Sequence, residues 1–316
     1  MLKRLLKRIL IALLVIFVAY LIVRNISFFQ ELKGSLSELL VIIDTDSGNE
    51  MDDLYAVARA LTDPDVEVAG LLSSQWNFHK DAPDSSVMIS QEINEEILKL
   101  LHKTHIPHPV GAAEMIRFSE EPQPQPSEAA DYIITMASGL ASGEKLKVIT
   151  LGATTNLASA ILMDSSIIPK LDCYIMGLKY DYINRVWDKN EFNTRNDLDA
   201  MDILLNTNNL DLTIMTATTS MDLKFNKQET FNKLSGKGDI WDYLLERWDK
   251  KFPEHEEWIM WDVAIIEAII NPKLATVREV YTPPENTRRR INVYTSIKAD
   301  AMLNDYWKAV EKYSGD

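Results

Sequence analysis

The chain has 316 residues, 46% of them hydrophobic, enough to bury a large core in one α/β domain or two small ones. Its formal net charge is −14. A surface so acidic repels nucleic-acid backbones, which excludes a general nucleic-acid binder but not a small neutral substrate. The single cysteine, Cys173, excludes disulfides within the chain and, lying in the apolar run 171–176, reads as a core residue.

At the N-terminus, Lys3, Arg4, Lys7 and Arg8 precede an uncharged apolar run, residues 9–23, closed by Arg24. The run is short against the about 20 residues of a typical span, but flanking Lys and Arg side chains snorkel. No small-residue cleavage site follows it. The pattern predicts an uncleaved, single-pass transmembrane helix with a cytoplasmic N-terminus and the remainder extracytoplasmic. Residues 1–35 then form tip, anchor and tether, and residues 36–316 one globular domain.

Residues 39–43 read as a buried strand. Five acids follow within ten residues: Asp44, Asp46, Glu50, Asp52 and Asp53. Leu54, Val57, Ala58 and Leu61 then recur at helical spacing, so the acids sit where a strand gives way to a helix, the edge where open α/β sheets bind ligands. The cluster is either a solvated loop capping the helix or a site for a hard divalent cation such as calcium, which relieves the repulsion.

Beyond it, strands are expected at 66–73, 110–113, 147–151, 171–177 and 210–215, alternating with helices at 90–102, 129–140, 155–163 and from 199. This rhythm predicts an α/β fold, a mostly parallel sheet flanked by helices. The proline-rich stretch 121–126 reads as an exposed loop. The last third holds expected helices at 239–250 and 258–270, a strand at 291–297 and a helix from 300. Trp241, Leu244, Leu245 and Trp248 form a helical stripe that reads as core or as a lid. His102, His105 and His108 are separated by Pro107 and Pro109, which prevents a helical metal cluster. Arg288-Arg289-Arg290 reads as a solvated strand start or an internal ion-pair partner in preference to a phosphate site.

Three further stretches carry chemistry. Residues 149–158 (ITLGATTNLA) end a strand in a glycine turn whose carbonyls could serve a cation. Residues 190–200 (NEFNTRNDLDA) place Glu191 and Asn193 on one side of an extended segment, with Phe192 opposite; an acid and an amide so held suit neighbouring sugar hydroxyls. Residues 258–268 (WIMWDVAIIEA) start an apolar helix at Asp262, a cap or a ligand.

Together these motifs resemble the inosine/uridine-preferring nucleoside hydrolase family. Asp44-Thr45-Asp46-Ser47-Gly48 with Asp52-Asp53 is similar to its aspartate-rich loop, Gly152–Asn156 to its G-P-L-T-N turn, and Glu191-Phe192-Asn193 to its E-F-N segment, with Asp262 last. The order is the family's, over roughly residues 38 to 310. The resemblance implies a nucleoside hydrolase-like fold with a Rossmann-like core and calcium-dependent hydrolysis of a ribonucleoside to base and ribose. It implies calcium ligands at Asp46, Asp53, Asp262 and the Thr155 carbonyl, with Asp46 as general base toward water activated at the metal. Asp52 and Asn193 would meet the ribose hydroxyls, Glu191 its far hydroxyl, and Asn77 the sugar, with Met176 in the pocket.

Two departures bear on this. Glu50-Met51 lengthen the first loop by two residues, leaving open which of Asp52 and Asp53 meets the metal. Trp261 stands where a histidine often assists the leaving base; a tryptophan there stacks on the base in purine-specific relatives, which points to a purine nucleoside, the other reading being core packing. Two rivals are a haloacid-dehalogenase-like phosphatase built on Asp44 and Asp46, and a membrane-tethered nucleoside-binding protein without turnover. The sequence leaves homo-oligomerisation open.

Overall fold

Residues 39–80, 82–83, 85–117 and 121–313 are described by a computed structural model, and residues Leu40–Asp316 form one compact unit. The expected membrane anchor lies outside the described residues. Among those described, no helix is long and apolar enough to cross a membrane.

The first half alternates strands and helices. Strand β1 (Leu39–Thr45) leads through the acidic loop to helix α1 (Asp52–Thr62), then β2 (Val66–Ser73) and α2 (Ser86–Leu100). Next come α3 (Glu128–Gly139), β3 (Leu146–Thr150), α4 (Thr155–Met163) and β4 (Leu171–Met176). A hairpin, β5 (Lys179–Asp181) and β6 (Val186–Asp188), precedes two short helices, α5 (Phe192–Asn196) and α6 (Leu198–Asn206), and strand β7 (Asp211–Met215).

The second half is mostly helical: α7 (Ala217–Ser220), β8 (Lys224–Asn226), α8 (Lys227–Leu234), α9 (Asp239–Lys251), β9 (Glu257–Ile259) and α10 (Trp261–Ile270). Strands β10 (Ala275–Tyr281) and β11 (Arg290–Ile297) and helix α11 (Ala299–Lys312) complete it.

The seven-stranded sheet runs β10-β11-β7-β4-β3-β1-β2. Ladders β1/β3, β3/β4, β4/β7 and β7/β11 are parallel, and only the β10/β11 pair in this set is antiparallel. The chain leaves β1 for β2 on one side and returns to β3 on the other. The loops after β1 and β3 therefore part at a topological switch point, which opens a crevice at their carboxyl ends. Val41, Ile42, Ile43, Leu146 and Val148 are fully buried, as expected of strands covered on both faces.

Two expectations are corrected, and one strand was not foreseen. Residues 110–113 are not a strand: the amides a ladder would use go to side chains instead, Gly111 N donating to Ser73 Oγ and Ala112 N to Asn156 Oδ1. Gly111 is required there, because a Cβ would stand 1.9 Å from the Ser73 carbonyl oxygen. Residues 258–270 are not one helix, since β9 pairs with β8 before α10 begins. Strand β10 has no expected counterpart: four consecutive residues, 276–279, are exposed, so this edge strand lacks the apolar run that betrays a strand. The tryptophan stripe on α9 is core, with Trp241, Leu244 and Trp248 fully buried.

Helices α1 and α10, which carry the acids at their first turns, pack on each other and on α11. Buried Arg59 of α1 locks the pair, its Nε donating to Glu267 Oε1 of α10 at 2.7 Å while it also pairs with Asp63. Glu267 is fully buried, so removing the guanidinium strands a carboxyl group without a partner. Arg59→Leu is expected to lower stability by about 3–5 kcal/mol, and Arg59→Leu with Glu267→Leu to recover most of that, as read from urea unfolding midpoints.

Candidate functional site

The crevice is a cleft of about 250 Å3 whose walls come from five places, one of them Ala217 at the start of α7. The β1–α1 loop supplies Asp46, Asn49, Glu50, Asp52 and Asp53; the start of α10 supplies Trp261 and Asp262. Met176 and Lys179 come from the end of β4 and the start of β5, and Asn190 to Asn193 with Arg195 from α5 and its approach.

The floor is anionic. Asp52, Asp53 and Asp262 each offer a carboxylate oxygen within 4.8 Å of the other two, and the Asp262 amide donates to Asp52 Oδ2 at 3.2 Å. Asp46 adjoins them. Burial raises the pKa of Asp46 well above the usual carboxylate range, and the charges of Asp53, Glu50 and Asp52 add to it. Asp52 and Asp262 are pushed up strongly by burial, then by their acidic neighbours, and burial raises Asp53 as well.

Asp46 Oδ2, Asp52 Oδ1 and Asp262 Oδ1 are buried without a hydrogen-bond partner. An unpartnered buried carboxylate oxygen is costly, and such oxygens on Asp52 and Asp262, two of the three acids whose carboxylates gather within 4.8 Å, suit a hard divalent cation, whose ligands are oxygens in flexible number. Gly152, in the turn after β3, makes room for this arrangement, because a Cβ there would sit 2.9 Å from Asp46 Oδ1.

The opposite wall is built for hydroxyls. Glu191 is extended (φ −127°, ψ 156°) and caps α5. Its carboxylate accepts from the amides of Asn193, Thr194 and Leu178 and from Thr194 Oγ1, at 2.9–3.2 Å. Burial still raises its pKa, with those donors opposing. Asn193 donates its side-chain amide to the carbonyls of Leu151 and Met176, which leaves Oδ1 as an acceptor. The expected extended stretch is therefore a helix cap, and Phe192 lines the cleft with its neighbours instead of pointing away. Capping explains this: the chain turns helical at residue 192 because Glu191 satisfies the first free amides.

Of the residues singled out in sequence, Asp46, Asp52, Asp53, Met176, Glu191, Asn193, Trp261 and Asp262 converge on this cleft. Trp261 is half-buried and lines the cleft, so it is not simply core. Thr155 and Asn77 are not among the lining residues. The Thr155 hydroxyl donates to Asp197 Oδ2 at 2.7 Å and accepts from Gln75. Asn77 accepts from Ser86 Oγ and donates to the Ala113 carbonyl, both at 2.5 Å. Lys251, at the end of α9, was not foreseen: its Nζ donates to the carbonyls of Gly48 and Asn49, each at 2.8 Å, clamping the lengthened loop. Its distance in sequence left no signal. Lys179 and Arg195 at the cleft mouth were also missed, being ordinary surface cations by pattern.

Residues 41–309 match the family model described as inosine-uridine preferring nucleoside hydrolase. A comparison with curated proteins finds no match. Among solved structures, a plant nucleoside hydrolase superposes with TM-score 0.67 at 16% identity, covering 87% of this chain and 99% of its own. An inosine-guanosine nucleoside hydrolase gives 0.67 at 18%, with the same coverage. A purine-preferring ribonucleoside hydrolase from Gardnerella vaginalis gives 0.63 at 17%, again with that coverage. Likeness at such identity is likeness of fold.

The carboxylate floor yields a test of cation binding. A divalent cation that binds only the folded chain stabilises it by about 2.7 kcal/mol at 100 times its Kd, so the melting temperature should rise on adding calcium. Asp262→Asn should abolish that rise and, in chelator, melt higher than the wild type, because one member of a mutually repelling set is gone. A wild-type melting temperature indifferent to divalent cations would refute the cation site.

Proposed function

The chain belongs to the inosine-uridine preferring nucleoside hydrolase family and is a nucleoside hydrolase, and on that premise we propose that it uses calcium to cleave purine ribonucleosides. One observation carries the reading: Asp46, Asp52 and Asp53 from one loop meet Asp262, 210 positions beyond Asp52, beneath a cleft that Glu191, Asn193 and Trp261 also line. A phosphatase built on Asp44 and Asp46 would leave Glu191 and Asp262 without a role.

Asp46, Asp52, Asp53 and Asp262 would hold the cation. Calcium fits such a set better than magnesium, which demands near-ideal octahedral geometry and keeps more of its water. When bound, it would supply Lewis acidity and neutralise the crowded carboxylates.

The chain's own groups do the rest. Asp46 Oδ2, which has no partner, accepts the proton of the attacking water as general base. Glu191 and Asn193 Oδ1 accept from ribose hydroxyls and hold the ring over the floor. Cleaving an N-glycosidic bond develops positive charge on the sugar, and the carboxylate-lined floor stabilises it. Met176 and Ala217 provide apolar wall that limits water. Trp261 offers its indole face to the base, and a purine presents more stacking area than a pyrimidine. The names of the inosine-guanosine and purine-preferring relatives agree with that preference.

A nucleoside panel with reducing-sugar detection tests this. Inosine and guanosine should be cleaved faster than uridine, activity should vanish in chelator, and calcium should restore it ahead of magnesium. Asp46→Asn should lower kcat by about 10²–10⁴-fold. Trp261→Ala should cost purines about 1–3 kcal/mol in kcat/KM, the range of base–aromatic stacking, and pyrimidines less. Nucleoside binding without ribose release would favour a binding protein, and phosphate release from phosphoesters a phosphatase.

The basic-flanked apolar segment 9–23 supports a further reading, that the hydrolase works tethered on the extracytoplasmic side of a membrane. The full-length chain should resist an alkaline wash of the membrane fraction, and its release would refute the tether.

A further inference from the structure

The hairpin β5–β6 and the arginine run have little part in the catalytic cleft, yet they meet in a second cavity of about 820 Å3. One wall is the hairpin, where Tyr180 and Trp187 stack with ring centroids 4.2 Å apart. Trp187 Nε1 donates to the Tyr281 carbonyl at 3.0 Å, pinning the hairpin to the end of edge strand β10. On the other wall the Arg288 guanidinium stands 4.0 Å and that of Arg290 5.6 Å from the Tyr281 ring centroid.

The charge balance here is opposite to that of the chain. Arg185, Arg288 and Arg290 line the cavity against one carboxylate, Glu279, on a chain of net charge −14. Glu279 pairs with Arg290, while among the described residues Arg185 and Arg288 form no ion pair. Of the two hairpin acids, Asp181 is engaged by the turn amides of Ile183 and Asn184, each at 2.9 Å, and Asp188 pairs with Lys179. The hydrogen bond from Arg290, then the charge of Arg288, holds the Tyr281 phenol below its ordinary pKa.

We propose that this groove binds a nucleotide, its phosphate on the guanidiniums of Arg185 and Arg288, which no carboxylate claims among the described residues, and its base against the Tyr180–Trp187 stack. Guanidinium forks match phosphate oxygens in geometry and charge, and base–aromatic stacking tolerates any base. Inorganic phosphate would leave the aromatic wall unused, and an acidic peptide has no flat ring to lay on it. Lys179, the first hairpin residue, also lines the catalytic cleft, so the two sites share one element.

Calorimetric titration of the full-length protein in chelator tests the site, with AMP, adenosine, inorganic phosphate and hexaglutamate as separate probes. AMP should bind at least about tenfold tighter than the other three, and more weakly as salt rises. Arg288→Gln should raise its Kd about tenfold or more. Glu279→Gln, which removes the competing carboxylate, should lower the Kd and keeps the test decisive if the arginine variant misfolds. Asp262→Asn should leave AMP affinity unchanged. No AMP binding, AMP binding abolished by Asp262→Asn but not by Arg288→Gln, or equal binding of phosphate or hexaglutamate would each overturn the proposal.

Discussion

Four buried carboxylates with too few donors are the constraint from which the rest of the structure follows. In water, acids this close would part or take up protons. Here the fold prevents the first, because β1, α1 and α10 are fixed by the sheet and by the buried Arg59–Glu267 pair. Asp52 and Asp53 lie in the first turn of α1 and Asp262 in the first turn of α10, where the helix dipoles favour negative charge. Dipoles alone worth a fraction of a kcal/mol up to about 2 kcal/mol do not offset the burial of several charges. A divalent cation would, and the buried acidic set is consistent with the metal site typical of the family.

Glu191 shows the contrast within the same cleft. It is as acidic and nearly as buried, yet four donors hold its carboxylate. Charge in a dry site is tolerated when every lone pair facing the protein has a partner. The floor acids keep unpartnered oxygens, whereas Glu191 is finished by the chain and presents a fixed acceptor. A fixed group suits a sugar hydroxyl, whose position must not drift during reaction. Asn193 is prepared in the same way, its amide protons given to backbone carbonyls so that its orientation is set before any ligand arrives.

What the sequence disclosed and what it hid divide along this line. Strand–loop–helix junctions announce themselves locally: an apolar run, then Asp44 to Asp53, then helical periodicity. Asp262 was visible as a cap or a ligand at the head of an apolar helix, and the family resemblance pointed to the ligand. Asn156 was visible only as part of a turn, although its amide bonds to Asp44 Oδ1 and the Ser73 carbonyl and its carbonyl accepts from Ala112, linking three segments. Such wiring is set by tertiary packing and leaves no periodic mark. The same holds for residues 110–113, whose apolar content imitates a strand while its backbone bonds go to side chains, and for β10, whose exposed edge carries no apolar pattern.

The lengthened loop shows how a local departure is absorbed without loss of the site. Two extra residues before Asp52 could have shifted the acids or left the loop loose. Instead nearly every position is tied: Ser47 Oγ donates to Asn94, Gly48 N lies 3.4 Å from Ser90 Oγ, Asn49 N donates to the Asp46 carbonyl, and Lys251 grips the carbonyls of Gly48 and Asn49. Gly48 fits because a Cβ would press within 2.9 Å of Ile89. The slack is taken up by Met51, fully buried, and by Glu50, turned into the cleft. Burial, then Asp53 and Glu191, lifts the Glu50 pKa to about 7, with Lys251 opposing. Burial lowers Lys251 to about 8, with Glu50 and Asp53 opposing. With the loop so anchored, Asp52 and Asp53 each bring a carboxylate oxygen within 4.8 Å of Asp262, and Glu50 adds to the wall of the cleft.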